Sequence, residues 1–257
     1  MIIHILPDAE RLGALAARHI EVALLGVRRP VLGVATGSSP EPVYAALADR
    51  ASAGTFRVDS LRAFALDEYV GLPDDHAERY RNVLLRAFAD PLGIDDRSVH
   101  VPDGGDADPS AAAAAYEQAI HLAGGIDLQL LGIGRNGHIG FNEPGSDFRS
   151  LTRVVELTDS TRVANARFFT NHEEVPRHSI SQGLATIMRA RAALLIATGA
   201  AKADAVRAAL TGPVTTDLPA SVLQRHPRLS VYLDGEAASA LDLHLLESIA
   251  VVHDWRA

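Results

Sequence analysis

No cysteine occurs in this chain of 257 residues. That excludes a disulfide framework, a thiolate nucleophile and any cysteine-based zinc or iron–sulfur centre. Lysine is nearly as scarce: Lys202 stands alone against 23 arginines. No stretch reaches the roughly 18 apolar residues that a membrane-spanning helix needs. The opening residues Met1–Asp8 lack the basic region, the long apolar run and the cleavage site of a secretory signal. The expectation is a cytoplasmic protein with no membrane partner. Positive charge is also in deficit, 24 Lys and Arg against 32 Asp and Glu for a net −8. Such a chain has no overall electrostatic footprint for nucleic acid, so an anionic ligand must be caught by locally arranged donors. Apolar residues at 47% and charged residues at 22% place the chain among folded globular proteins and exclude disorder.

What is present is an alternation of strand-length apolar runs with helical patterns. Strands are expected at Ile2–Leu6, Pro30–Val34, Leu61–Leu66, Ser98–Val101, Ile126–Ile133, Leu151–Leu157, Ala192–Ala197 and Leu229–Leu233. Helices are expected from a cap at Asp8 to about Leu25, from Pro40 onward, and over Tyr80–Phe88 and Pro109–Leu122. Further helical patterns cover Arg162–Phe169, Ile180–Ala190, Ala201 to Leu210 and Ala237–Leu246. Alternating strands and helices imply a mainly parallel sheet covered on both faces. With no Pro/Ser-rich linker, the chain reads as one domain over residues 1–257. Its expected class is α/β, a three-layer α/β/α sandwich of Rossmann-like type.

Three segments share a strand–loop–helix shape. Ala35-Thr36-Gly37-Ser38-Ser39-Pro40 follows the second strand, and Ala197-Thr198-Gly199-Ala200-Ala201-Lys202 repeats its Ala-Thr-Gly after the AALLIA strand. The third is Gly132-Ile133-Gly134-Arg135-Asn136-Gly137-His138. Ligands of parallel sheets bind beyond the carboxyl ends of the strands, where all three loops belong. In the first loop Gly37 permits close backbone approach, Thr36, Ser38 and Ser39 offer hydroxyls, and the helix presents free N–H groups. The spacing is not that of a nucleotide P-loop, so a terminal sugar phosphate is the better ligand. A plain strand-to-helix turn explains the same residues. Lys202, a compact ammonium at the start of a helix beside a backbone nest, tips the balance towards phosphate.

Acid–base groups follow two of these strands. Asp67 and Glu68 sit at the end of a strand, where neighbouring side chains point to opposite faces, so one of the two faces the site. The alternative is a helix cap or a structural ion pair. Asn136, His138 and Glu143 bring amide, imidazole and carboxylate within eight residues. Histidine is the common general acid–base group near neutral pH, and a carboxylate such as Glu143 orients its ring. One histidine with scattered carboxylates lacks the spacing of a zinc site, so no metal is expected. The absence of a Gly-x-Ser-x-Gly elbow argues against a serine hydrolase of the α/β type.

Three motifs, Leu66-Asp67-Glu68-Tyr69-Val70-Gly71-Leu72, Asn136-Gly137-His138-Ile139-Gly140-Phe141-Asn142-Glu143-Pro144 and Thr161-Arg162-Val163-Ala164-Asn165-Ala166-Arg167-Phe168-Phe169, closely resemble the glucosamine-6-phosphate deaminase family. The resemblance runs in order through nearly the whole chain. It implies conversion of glucosamine 6-phosphate and water to fructose 6-phosphate and ammonia, with no cofactor and a small-molecule amino-sugar phosphate as partner. By match to the family's motifs, Asp67 moves a proton from C2 to C1 of the open-chain sugar. His138 opens the pyranose ring, and Glu143 and Asn136 orient and tune it. The phosphate is expected on Thr36, Gly37, Ser38 and Ser39 with Arg167 and Lys202. A similar segment in the family forms a lid, which corresponds here to about residues 156–182.

Two departures stand out. Some members carry Asp where this chain has Asn136. Some are hexamers activated by N-acetylglucosamine 6-phosphate between subunits. The matching segment keeps Ser146 and Arg153 but has Val155 in place of a lysine, which reads as the remnant of an allosteric site. Monomer and homo-oligomer both stay open. Galactosamine-6-phosphate deaminase and 6-phosphogluconolactonase are alternatives on the same scaffold. A non-enzymatic sugar-phosphate sensor is disfavoured, because the chain starts directly with its first strand and no helix-turn-helix precedes it.

Overall fold

A computed structural model describes residues 1–242 and 250–253. Its strands are β1 (Ile2–Leu6), β2 (Val31–Val34), β3 (Arg62–Ala65), β4 (Asp67–Tyr69), β5 (Val99–His100) and β6 (Leu128–Leu131). The later ones are β7 (Arg153–Glu156), β8 (His178–Ser181), β9 (Ala193–Ala197), β10 (Leu229–Asp234) and β11 (Ala250–His253). The helices are α1 (Ala9–Leu24), α2 (Glu41–Ser52), α3 (Tyr80–Leu84), α4 (Asp90–Leu92), α5 (Pro109–Leu122), α6 (Asp159–Asn165), α7 (Leu184–Met188) and α8 (Ala203–Thr211). A π turn over Leu85–Ala89 fuses α3 to α4.

Eight strands form one parallel sheet in the order β11-β1-β10-β9-β6-β2-β3-β5. Its strands are apolar on both faces because both are covered. On β9, Leu194 and Ile196 face a core shared with α1 and α2, whereas Leu195 and Ala197 face one shared with α7 and α8. The expected mainly parallel α/β architecture is therefore correct. Local signals set the helix ends. Asp8 caps α1 through the Arg11 amide, and Asp108 caps α5 through the Ser110 and Ala111 amides, with Pro109 in the first turn.

A second, antiparallel sheet of order β4-β8-β7 sits against the first. The chain passes from β3 into β4 through Leu66, whose N–H still bonds Val34 O while its carbonyl accepts the Gln182 N–H. Gln182 then donates its side-chain amide to Ala65 O at 2.8 Å. The small sheet is thus bolted to the end of the large one, and it carries Asp67 in register with Ser181.

The structure corrects two assignments. The expected helix over Ile180–Ala190 is strand β8 followed by the short α7. Its misleading helical period is Ile180, Leu184 and Ile187, all buried but in different elements. Over Ala237–Leu246, the residues through Asp242 form turns and no helix, and the remainder lies outside the described residues. Among the described residues no helix is long and apolar enough to cross a membrane.

Candidate active site

Strands β2, β6 and β9 are neighbours, so the three glycine loops lie side by side at their carboxyl ends, with the β6 loop in the middle. The first loop is pinned from below by Tyr44, whose hydroxyl donates to Ala35 O at 2.7 Å and accepts the Ala35 N–H at 3.0 Å. Gly37 then turns with φ +95°, a left-handed conformation that a side chain rarely adopts. Gly37 and Ser38 are exposed and Thr36 and Ser39 half-buried, and no side chain caps the start of α2. A Cβ built on Gly132 would lie 3.9 Å from Ser39 Cβ, which places this loop against the third one.

Lys202 reaches the same place from the other side. Its ammonium donates to Ile133 O at 2.7 Å. Burial lowers its pKa, and the charges of Arg135 and Arg167 lower it further. Three cations therefore converge where loop 132–135 meets the first loop, an arrangement that an anion relieves. Arg167 also lies over the Phe168 ring at 4.6 Å. The second loop differs from expectation in one respect. Its Gly199 and Ala200 amides are already engaged, by Asp234 and Glu236. That loop offers the Lys202 ammonium but no free backbone nest.

The strand alternation separates the two adjacent carboxylates. Asp67, 6% exposed, points towards Gly140, where a Cβ would stand 3.5 Å from Asp67 Oδ2. Burial, reinforced by the charge of Glu68, pushes its carboxyl up to about 8, against the pull of the Phe141 N–H. Glu68 points away and is fully buried. Its oxygens accept the N–H groups of Tyr69 at 2.8 Å, Tyr80 at 2.8 Å and Arg81 at 2.9 Å.

Asn136, His138 and Glu143 do converge. The His138 ring lies directly over Gly134, where a Cβ would come within 2.4 Å of it, so only glycine fits below the ring. His138 Nδ1 is buried, without a hydrogen bond, 3.6 Å from Glu143 Oε2. Asn136 serves the carboxylate and not the ring. Its amide donates to Glu143 Oε2 at 2.6 Å, and its carbonyl oxygen accepts the His138 backbone N–H at 3.2 Å. Glu143 Oε1 accepts the hydroxyls of Thr161 and, at 3.1 Å, Thr158. Burial acts to raise the Glu143 pKa, but His138, Thr161 and Asn136 outweigh it and hold the carboxyl down at about 2. Asp67 beside Gly140 and Glu143 three residues further along the same loop are thus shifted in opposite directions, one carboxyl raised and one lowered. Environments that push two carboxyls apart in this way mark acid–base chemistry.

Several contributors carry no local signal. Thr158 and Thr161 reach Glu143 from the start of α6, 15 and 18 residues away. Tyr69 accepts from Asn165 Nδ2 at 2.9 Å and from the Tyr80 hydroxyl at 3.3 Å. The segment between β7 and β8 is held together by buried Arg162, which donates to the carbonyls of Val175 and His172. Arg153 donates to Asn142 Oδ1 at 2.8 Å and to Ser146 Oγ at 3.2 Å, so it supports the histidine loop from behind. Val155 packs with Tyr69, Phe141 and Leu157 in an apolar cluster, where it faces side chains of its own chain. Among the described residues no group of three or more His, Asp or Glu is placed to hold a metal ion.

With this geometry in view, residues 8–231 match the family model of glucosamine-6-phosphate isomerases/6-phosphogluconolactonase. A glucosamine-6-phosphate deaminase of Pseudarthrobacter chlorophenolicus is 57% identical over 241 residues, 93% of this chain and 92% of that one. A solved monomeric glucosamine-6-phosphate deaminase of the NagB superfamily superimposes with a TM-score of 0.91 at 38% identity. It covers 94% of this chain and 100% of its own. A Trypanosoma cruzi 6-phosphogluconolactonase gives a TM-score of 0.72 at 22% identity over 93% of this chain and 96% of its own, a likeness of fold alone.

Proposed function

The chain belongs to the family of glucosamine-6-phosphate isomerases and 6-phosphogluconolactonases, and from that premise we propose that it converts glucosamine 6-phosphate and water to fructose 6-phosphate and ammonia. The observation that carries the reading is geometric: the buried Asp67 carboxyl lies against Gly140 of the loop whose His138 ring stands 3.6 Å from Glu143, itself held by Asn136. An aldose–ketose isomerisation needs a group that takes a proton from one carbon and returns it to the next. It also needs a separate group that moves a proton at the ring oxygen.

In this reading His138, kept in place by the anion of Glu143, transfers the proton that opens the pyranose. Asp67 in its ionised form then removes the C2 proton of the open-chain amino aldose. The same carboxyl returns that proton to C1 while the amine gives up a proton and the C1 oxygen gains one, so that C1 becomes a CH2OH group and an imine is left at C2. Water adds to C2 and ammonia departs, giving the ketose. Asn136 holds Glu143, and the Thr158 and Thr161 hydroxyls supply donors that keep it ionised. Of the expected lid over 156–182, residues 157–177 between β7 and β8 act as the lid that keeps bulk water from the enolamine, since β8 and Gln182 are bonded into the sheets. The phosphate is held by the Thr36–Ser39 loop with Lys202 and Arg167, and Arg135 joins them.

The test is ammonia release from glucosamine 6-phosphate and galactosamine 6-phosphate, measured in parallel. Release from the gluco epimer is expected, on a hyperbolic saturation curve with or without N-acetylglucosamine 6-phosphate. That form follows because Arg153 is occupied by Asn142 and Ser146, and the half-buried Val155 packs against the Tyr69, Phe141 and Leu157 cluster. No ammonia from either sugar, with turnover of 6-phosphogluconolactone instead, would sink the proposal.

Lys202 gives an independent check on the phosphate site. Its ammonium fits beside Ile133 O, where a planar guanidinium does not reproduce the contact. Lys202→Arg should raise KM at unchanged melting temperature, and Lys202→Ala more so, by roughly tenfold to hundredfold. Wild-type kinetics in both variants would place the phosphate elsewhere.

A further inference from the structure

The role of Glu68 is absorbed by nothing above. It lies in a fully buried position, next in sequence to the proposed base, on the opposite side of its strand. Burying a carboxylate is expensive unless its oxygens are satisfied. Here they are satisfied by backbone amides from two different elements: Tyr69 on β4, and Tyr80 and Arg81 at the start of α3. The Arg79 guanidinium approaches Oε2 at 3.9 Å but is shared with Asp74 and Asp103. The Glu68 carbonyl accepts the Ser179 hydroxyl at 2.7 Å, which fastens the same strand to β8.

We propose that Glu68 is a positioning residue for Asp67: its carboxylate, bound by the Tyr69, Tyr80 and Arg81 amides, fixes β4 against α3 and so sets where the neighbouring Asp67 carboxyl stands. The inference rests on Asp67 being the proton-transfer group. Two features separate it from a plain structural brace. A neutral glutamine offers a single acceptor oxygen to the three amides, and it offers no charge. The phenols of Tyr69 on β4, Tyr80 on α3 and Tyr116 on α5 face Asp67, with the Phe141 N–H from the loop that also carries His138 and the Glu143 carboxylate. In that buried setting an adjacent carboxylate is felt, since like charges sharing a low-dielectric site raise each other's affinity for protons. The directions agree. The charge of Glu68 follows burial among the causes that raise Asp67, and Glu68 itself is raised to about 7 by burial in spite of its three amides and Arg79.

The consequence for catalysis is a base strong enough to attack a weakly acidic C–H, obtained without moving Asp67 from its place above the sugar. The experiment compares the wild type with Glu68→Gln and Glu68→Asp. The Asp67 carboxyl is titrated by carbon-13 NMR, its signal assigned by its loss in Asp67→Asn, and kcat/KM for ammonia release is followed against pH. In Glu68→Gln both the Asp67 midpoint and the acidic limb of kcat/KM should fall by about one pH unit, with kcat reduced. Glu68→Asp, which keeps the charge, should restore the midpoint. An Asp67 midpoint and acidic limb identical to wild type, with only a lower melting temperature, would overturn the proposal and leave Glu68 a structural clamp. If Glu68→Gln does not fold, reciprocity supplies the test, because coupling between two titrating groups is mutual. The Glu68 midpoint should then fall in Asp67→Asn, and an unchanged midpoint overturns the proposal. The NMR titration needs no turnover. A wild type that releases no ammonia rejects the proposed reaction, whereas an unmoved Asp67 midpoint rejects the role of Glu68.

Discussion

Asp67→Asn is expected to lose on the order of 10²–10⁴-fold in kcat, to keep measurable affinity for the sugar phosphate, and to melt at a higher temperature than the wild type in alkaline buffer. The first two outcomes follow from its place. Asp67 faces Gly140 and the histidine loop, whereas the proposed phosphate ligands stand at the ends of β2, β6 and β9. The third follows from its burial. A carboxyl that binds its proton more tightly folded than unfolded stabilises the fold fully below the ordinary carboxylate range. That contribution is lost as pH rises through about 8, where the buried group ionises. Asparagine has no proton to lose. The gain should be on the order of 2 kcal/mol, roughly 4–8 °C for a chain of this size, and it should vanish near pH 4. Calorimetry at several pH values and an ammonia assay read both effects. Near-normal turnover in the variant would remove Asp67 from the mechanism.

Gly134→Ala should disable the enzyme almost as thoroughly as His138→Gln, although residue 134 carries no chemistry. A methyl group there would lie 2.4–2.5 Å from three atoms of the His138 ring, so the imidazole must swing aside. Moving it breaks the 3.6 Å approach to Glu143. A displacement of about 1 Å in a reacting group can lower the rate by 10²-fold, and kcat/KM on the ring form of the substrate is the quantity that should fall. An open-chain mimic bypasses ring opening and should bind both variants nearly as well as the wild type. Loss of affinity for the mimic in step with activity would make His138 a substrate-binding group and not a ring opener.

The large sheet was legible because its strands are buried on both faces and written in aliphatic runs such as Ala193–Ala197. The small sheet was legible only in β7, which lies inside the expected Leu151–Leu157 strand. In β8, His178-Ser179-Ile180-Ser181, only Ile180 is apolar, yet Ser179 and Ser181 are fully buried. Their hydroxyls serve Glu68 O and the Phe141 N–H, partners 111 and 40 residues away. A local pattern cannot register such long-range satisfaction of buried polar groups. The same holds in the site. Asp67, His138 and Glu143 stood out in compact motifs, and alternation along β4 correctly set Asp67 apart from Glu68. The help that Thr158 and Thr161 give Glu143 depends on how α6 packs. The engagement of the Gly199 and Ala200 amides depends on Asp234 and Glu236, more than 30 residues on. Asn136 was expected to orient and tune the histidine together with Glu143, and its amide bonds Glu143 Oε2 at 2.6 Å.

The antiparallel pairing of β7 with β8 has a consequence for rebuilding the molecule. The segment over residues 157–177 leaves and re-enters the fold between two hydrogen-bonded strands, closed at its base by the Leu157 N–H bonded to Arg177 O at 2.8 Å. Its ends are therefore held together by the hairpin and not by its own length. Each doubling of a flexible loop adds only about 0.6 kcal/mol to closure. New chain termini, or a reporter domain spliced into the turn beside exposed Glu173 and Glu174, would leave β7, β8 and the register of Asp67 with Ser181 intact. Circular permutation at that turn would also sever the strip bearing Thr158, Thr161 and Asn165 from His172 and Val175, whose carbonyls Arg162 now holds. The segment between β7 and β8 would then carry a tether or a reporter while β4 stays where it is.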